Sequence, residues 1–409
     1  MRSLYISQNG MLENLGQSQV LPYLRGLVRR GIAVDLLSFE LSDAQEEAIR
    51  ELGTSLKRDG IQWTPIRRRR DPRLRVKVAE AAAGVLRGLA CSARRSPDIV
   101  HGRSYFPTAI GHVIATLFPR ARLLFDCRGM IGDEYVDAGH WTRDRIEYRL
   151  VKAYEGRAFH RADGVVVLTD ALRRWLHEKG LLPRSTPVEV IPCCVDLDRF
   201  RFDAEARESL RRGFGFSDHL VIAYSGSLGT WYCEEEVARF AGIVRQRAKR
   251  PVGFLLLTPS DPSLLCRLLE ANGFGSDQIA IRRVSPAAMS AHLSAADIGI
   301  SFIKSCFSKK GSSPTKVAEY LACGLAVALN GDIGDQRDLA SEEDACVVLD
   351  GFSDPDLIHA ADCAIALSTL PRPVRVERSR RVAVGRFSVQ EVGVARYERL
   401  YRAMVSGRQ

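Results

Sequence analysis

The stretch Ser308-Lys-Lys-Gly-Ser-Ser-Pro-Thr-Lys-Val-Ala-Glu-Tyr-Leu-Ala-Cys-Gly324 lies between two short apolar runs, one ending near Ile300 and one at Ala326-Val-Ala-Leu329. The order strand, cationic loop, helix, glycine, strand is that of a βα unit in a parallel sheet. Ser312 or Ser313 can cap a helix beginning at Pro314, since proline is favoured at the first helical position. Amide N–H groups left open at that helix start, with Lys309, Lys310 and Lys316 beside them, make a cationic pocket suited to a diphosphate. Glu319, in the second turn, can accept hydrogen bonds from two vicinal hydroxyls, as on a ribose.

The same rhythm runs through the chain. Strands are expected at Leu4-Tyr-Ile6, Ala33-Val-Asp-Leu-Leu37, Asp98-Ile-Val100, Leu123-Leu-Phe125, Val165-Val-Val-Leu168 and Val188-Glu-Val-Ile191. A second series is expected at Leu220-Val-Ile-Ala-Tyr224, Gly253-Phe-Leu-Leu-Leu257, Ile279-Ala-Ile281, Ile298-Gly-Ile-Ser301 and Ala326-Val-Ala-Leu329. Helical segments separate them, so the fold class is α/β: two Rossmann-like, doubly wound domains facing a central cleft. The expected division is a first domain over 1–195, a linker over 196–216, a second domain over 217–385 and a C-terminal helix over 386–409. That helix is expected to pack back toward the first domain.

Ligands of open α/β sheets sit beyond the carboxyl ends of strands. One such loop, Ser7-Gln-Asn-Gly10, continues through Gly16 into a helix expected at Val20, where glycine lets backbone N–H groups approach an anion. Its counterpart, Tyr224-Ser-Gly226-Ser227-Leu-Gly229, has the same character, and Trp231 and Tyr232 beyond it are either core or the wall of a base or sugar site. G-x-G-x-x-G is absent, which weakens a dinucleotide reading.

Composition narrows the classes. Of 409 residues, 46% are hydrophobic and 26% charged, enough apolar mass for two cores and against general disorder. No apolar run reaches the ~18 residues that span a bilayer. The first residues are too soon polar for a signal peptide, so a cytoplasmic location is expected. None of the ten cysteines forms a C-x-x-C pair, and reduced, mostly buried thiols are expected in place of a metal site or a disulfide framework. The net charge of +10 is uneven: residues 1–200 carry 32 Lys and Arg against 24 Asp and Glu. Such a balance favours an anionic partner. Nucleic acid is set aside because aromatics interleaved with arginine, helix-turn-helix, RNP and zinc patterns are all missing.

These residues together resemble a GT-B glycosyltransferase of the retaining family 4 type, over essentially the whole chain. The tract Ser313 to Gly324 matches the family's helix ending in Glu-x-x-x-x-Gly before an Ala-Val strand. Arg161-Ala-Asp163-Gly-Val-Val-Val-Leu-Thr169, Val190-Ile-Pro192-Cys-Cys-Val-Asp196 and Leu293-Ser-Ala-Ala-Asp297 also match. Leu15-Gly-Gln-Ser-Gln-Val-Leu-Pro-Tyr-Leu24 and Phe125-Asp-Cys-Arg128-Gly129 resemble a branch found in bacterial surface-polysaccharide clusters. The pattern departs in three places. Gly311 stands where the first of two family glutamates is usual, with Glu319 as the second. Gly226-Ser227-Leu228 replaces Gly-Arg-Leu, with Tyr232 near the usual lysine. His101-Gly102-Arg103 replaces His-x-His.

The resemblance implies transfer of a sugar from a nucleotide-diphosphate donor to a hydroxyl acceptor, with retention, in surface polysaccharide or glycolipid assembly. It implies front-face attack assisted by the donor phosphate, with neither metal nor cofactor required. Gly16, Gly226, Ser227, Lys304, Ser312, Ser313, Thr315, Lys316 and Glu319 are assigned to the donor, and Lys304, Lys309, Lys310 or Lys316 can replace the missing loop cations, Lys316 being favoured because the helix fixes it. Arg128, Lys316 and Asp126 are the catalytic candidates, and His101, Arg103 and Glu134 face the acceptor, a glycan or a lipid-linked molecule. The run Ile66-Arg67-Arg68-Arg69-Arg70-Asp-Pro-Arg73-Leu-Arg75-Val-Lys77 leads into an Ala-rich helix. An anionic leaflet is the partner expected of Arg67, Arg68, Arg69 and Arg70, placing the protein peripherally on the inner face of the plasma membrane. The alternatives are an inverting GT-B transferase, a nucleotide-sugar epimerase, or a non-catalytic partner subunit.

Overall fold

A computed structural model describes residues 1–71, 73–342 and 344–406. Pro72 of the basic run and the last three positions of the C-terminal segment lie outside the described residues. The chain divides into two units, Met1–Pro192 with Val389–Gln409, and Cys193–Ser388.

The first unit is a parallel sheet of seven strands: β1 (Arg2–Ser7), β2 (Ala33–Leu41), β3 (Ile61–Arg68), β4 (Ile99–Arg103), β5 (Arg122–Asp126), β6 (Gly164–Val167) and β7 (Val188–Val190). Their order is β3-β2-β1-β4-β5-β6-β7, with Tyr5 opposite Leu36 on one side and His101 on the other. The order in which strands are added across the sheet reverses between β1 and β4, so the topological switch point lies beyond Ser7 and Arg103.

The second unit repeats the plan with β8 (Leu220–Ser225), β9 (Val252–Leu257), β10 (Ile279–Arg282), β11 (Ile298–Ser301), β12 (Ala326–Asn330) and β13 (Cys346–Leu349). The order is β10-β9-β8-β11-β12-β13, again parallel. Its switch point lies between β8 and β11. Both faces of β8 and β9 are buried throughout, as helices on each side of a parallel sheet require.

Several expectations differ from the structure for identifiable reasons. The edge strand β3 falls in the basic run, where Pro65, Arg67 and Arg68 obscure the strand pattern; an edge tolerates proline because one side of the ladder is unpaired. The segment 196–216 contains the helix Ala204–Phe214, whose first turn is capped by the Asp203 side chain accepting from the Ala206 N–H at 2.9 Å. The cysteines are all free thiols, but only Cys127, Cys194, Cys323 and Cys346 are fully buried. The C-terminal stretch is not one helix: a π-helical turn, Val389–Val394, separates Arg372–Phe387 from Ala395–Ser406.

Asp297, just before β11, is the staple of the second unit. Its fully buried carboxylate accepts from Arg207 at 2.9 Å, Arg375 at 3.0 Å, Arg211 at 3.3 Å and the Val221 N–H at 3.0 Å. Arg372 adds a contact at 2.5 Å. Burial alone would raise this carboxyl, but Arg207, Arg375, Arg372 and Arg211 reverse the effect and hold it well below the usual carboxylate range.

Candidate functional site

In the second unit, β8 runs out into Gly226, whose φ of +113° is one that side-chain-bearing residues rarely adopt. A Cβ built on Gly226 would lie 3.4 Å from the Lys316 ammonium. Lys316 is the second residue of the helix Thr315–Ala322 and is 8% exposed. Its Nζ has no hydrogen-bond partner among the described residues. It rests instead over the rings of Tyr224 and Tyr232, 4.0 and 4.3 Å from their centroids. Burial lowers this lysine to about 7, opposed by Glu319. A buried, unmatched ammonium is costly, and here it is aimed at a glycine turn. The amide N–H groups of Thr315 and Lys316 have no acceptor among the described residues, which adds positive potential at the same place.

The surrounding loop is braced. Tyr320 accepts from the Ser225 N–H at 2.7 Å and fills the space that the missing side chain of Gly299 leaves open. Tyr224 donates to the Ser227 carbonyl at 2.7 Å. Lys309 lies 3.6 Å over the Trp231 ring, and the Trp231 carbonyl accepts from the Lys304 N–H at 2.8 Å. Ser227, Lys304 and Lys310 have exposed side chains, whereas Ser312, Ser313, Thr315 and Glu319 are half-buried. Burial raises Glu319 to about 7, with Arg199 and Lys316 pulling it down.

The expected serine cap is corrected. Pro314 itself occupies the N-cap position, and no side chain caps the helix. The Ser313 hydroxyl accepts from the Cys193 N–H at 3.1 Å, while the Ser312 N–H donates to the Lys309 carbonyl at 3.1 Å.

In the first unit, β4 and β5 bring His101, Arg103 and Asp126 together. Asp126 is fully buried and accepts from Tyr397 at 2.9 Å, with His101 Nε2 and Arg128 Nη1 each at 3.4 Å. His101 Nδ1 pairs with the Tyr401 hydroxyl at 2.7 Å, which reaches Ser3 Oγ at 3.1 Å. The Tyr5 ring lies 4.2 Å from the imidazole. Burial would raise Asp126, but Arg128, His101 and Arg103 overcome this and hold it well below the carboxylate range. Burial also lowers His101, against the pull of Asp126. Arg103 reaches Asn9 Oδ1 at 3.2 Å. Glu134 is half-buried against Gly129, where a Cβ would approach its Oε1 to 2.8 Å.

Gly16 serves packing. It lies in the helix Asn14–Gln19, which starts well before Val20, and a Cβ there would be 2.2 Å from the Gly10 carbonyl oxygen. The Gly10 and Met11 N–H groups already donate to Glu13 at 2.7 Å and Glu40 at 2.8 Å, so the protein's own carboxylates fill the expected anion cradle. Arg67 is likewise paired with Glu46, and Arg68 with Glu13 at 2.7 Å, leaving only part of the basic run for an outside anion.

The sequence reading missed Tyr397 and Tyr401, whose four-residue spacing on one helix face was the available signal. It also missed Tyr224 and Arg199. Among the described residues no group of three or more His, Cys, Asp or Glu could hold a metal ion, and no helix is long and apolar enough to cross a membrane.

Two parallel α/β units of this kind define the GT-B fold of glycosyltransferases. The solved structure of HepE from Anabaena in complex with UDP is similar with a TM-score of 0.71 at 15% identity, over 98% of this chain and 100% of that one. Sucrose-phosphate synthase from Thermosynechococcus elongatus gives 0.68 at 16% identity, over 99% of both chains. WaaG, a glycosyltransferase involved in lipopolysaccharide biosynthesis, gives 0.66 at 14% identity, over 100% of both. No curated protein sequence matches the chain. Residues 16–194 match the glycosyl transferase 4-like domain family, and the chain has the GT-B fold.

Proposed function

We propose that the protein transfers a sugar from a nucleoside-diphosphate donor to a hydroxyl acceptor with retention of anomeric configuration, in the assembly of a surface polysaccharide or glycolipid. The observation that carries this reading is the buried Lys316 ammonium, without an acceptor, against the Gly226 turn. A diphosphate placed there would supply the missing counter-charge and accept from the Thr315 and Lys316 N–H groups. HepE has been solved with UDP and with UDP-glucose, which supports the ligand class.

Departure of the diphosphate develops negative charge on its oxygens. Fixed positive groups in a dry site stabilise that charge more in the transition state than in the ground state. Lys316 and the helix start are such groups, and Ser227 and Lys304 form an exposed rim. Glu319 would accept the ribose hydroxyls, whose donated hydrogen bonds favour its ionised form. In the first unit, Arg128 and Arg103 would orient the acceptor, with Asp126 fixing Arg128, His101 fixing Asp126 and Glu134 lining the approach. No step calls on a metal or cofactor, so turnover should survive a chelator.

Thermal melting with UDP-, GDP-, ADP- and CMP-sugars tests the reading, because a ligand that binds only the folded state raises the midpoint. One of the four should produce a shift that Glu319→Ala abolishes, and its absence with all four would overturn the proposal. Anomeric analysis of the product separates retention from inversion.

A further inference from the structure

The helices Leu74–Arg95, Tyr105–Leu117 and Ile146–Arg161 carry the chain from β3 to β4, β4 to β5 and β5 to β6. All three crossovers travel the same way across the sheet, so right-handed connection places them in one layer. The first packs against the second, and the second against the third. The C-terminal segment packs on the helix Leu21–Arg29, which belongs to the opposite layer because β1 to β2 runs the other way.

The outer surface of this layer is apolar where a solvated surface should be polar. On the first helix, Val78 and Leu86 are 58% and 68% exposed, with Ala82, Ala90 and Ala93 along the same stripe. Val113 and Leu117 on the second helix and Ile146 and Leu150 on the third are also exposed. Arginines without ion pairs among the described residues flank them: Arg75, Arg87 and Arg94 on the first helix, and Arg149, Arg157 and Arg161 on the third. The acidic residues of these helices do not offset this charge. Glu80 and Glu155 are buried against Lys77 and Lys152, and Glu147 is held by Arg145. On the opposite layer the helix Glu46–Arg58 shows ordinary mixed polarity, with Glu46, Glu47 and Glu51 beside Arg50 and Arg58.

We infer that this three-helix face docks on an anionic lipid bilayer, with Val78, Leu86, Leu117, Ile146 and Leu150 entering the headgroup boundary and the unpaired arginines meeting lipid phosphates. Single-sign charge around exposed aliphatic side chains suits such a surface, whereas a protein partner or a second copy would need complementary acids. The docking surface therefore differs from the Arg67–Arg70 run, half of which is neutralised within the unit.

Co-sedimentation with phosphatidylcholine vesicles, with and without phosphatidylglycerol, tests this without any nucleotide sugar, so its outcome is separate from that of the donor reading. The protein should pellet with phosphatidylglycerol vesicles and not with phosphatidylcholine alone. Arg87→Ser with Arg149→Ser should weaken partitioning about thirtyfold. Leu86→Ser with Leu150→Ser should weaken it while leaving the melting temperature unchanged. Arg50→Ser with Arg58→Ser, on the opposite layer, should leave it unaltered. The inference is overturned by equal binding to both vesicle types, by no binding, or by wild-type partitioning of the face variants. It is also overturned if sedimentation equilibrium shows a dimer that Leu86→Ser dissociates.

Discussion

Lys316 and Glu319, one turn apart on the same helix, are driven by burial toward the same value from opposite sides: the ammonium falls to about 7 and the carboxyl rises to about 7. The sign of each contribution follows from where the proton is held more tightly. Between the ordinary carboxyl value of 4.5 and about 7, the folded chain holds the Glu319 proton more tightly, so stability declines as pH rises. Between about 7 and 10.5, the unfolded chain holds the Lys316 proton more tightly, so stability recovers with pH. These two groups therefore produce a trough near neutrality in the unliganded protein. Urea midpoints across this range should reveal it, and Lys316→Met with Glu319→Gln should flatten it.

Lys316→Met should stabilise the unliganded protein, since it removes an ammonium that has no acceptor and keeps the contact with Tyr224 and Tyr232. The same change should weaken binding of the nucleoside diphosphate by ~10–100-fold, the range expected for one hydrogen bond to a charged group. Opposite movements of melting temperature and affinity would mark Lys316 as a residue kept for its ligand. Parallel losses would show a structural role.

Asp126 should behave in the reverse manner. Its folded-state value is depressed by Arg128 and His101 against the effect of burial, so its contribution is present above the unfolded value of 3.8 and is lost as pH falls. Asp126→Asn should destabilise by ~3–5 kcal/mol, because Arg128 loses its buried partner. Tyr397→Phe, which removes the 2.9 Å hydrogen bond, should cost ~1.5–3 kcal/mol. Denaturant melts measure both.

Asp297→Ala should be the most damaging of the substitutions considered. It leaves Arg211 and Arg375, 5% and 1% exposed, without their shared carboxylate. Breaking one buried pair costs ~3–5 kcal/mol, and here several guanidiniums are orphaned together. Loss of a cooperative melt in the second unit, followed by fluorescence of Trp231, is the expected result.

The two-sheet architecture was readable because buried parallel strands such as Val165–Val167 and Leu255–Leu257 are unbroken apolar runs. Two edge strands were not, β3, which carries Pro65 and two arginines, and β13, whereas the edge strands β7 and β10 were. The helix Thr315–Ala322 with Lys316 and Glu319 was legible because its lysines, its proline and its closing glycine lie in one short stretch, whereas the contact of Lys316 with Tyr224 and Tyr232 was not. The first unit's site was half legible. His101, Arg103 and Asp126 stand at strand ends, whereas Tyr397 reaches Asp126 across 271 positions, a separation no local pattern encodes. Gly16 shows the converse, since a glycine after a strand reads equally well as an anion cradle and as a contact between backbones.

The return of Val389–Ser406 to the first unit has a consequence for biosynthesis. Ribosomes deliver the seven strands of that unit early, yet Tyr397 and Tyr401, which cover Asp126 and His101, emerge only after the entire second unit has been made. Until then a charged carboxylate and an imidazole stand at an unsealed seam. That seam can close only after the whole second unit has been synthesised, and a nascent chain halted before residue 397 is expected to be a client for chaperones.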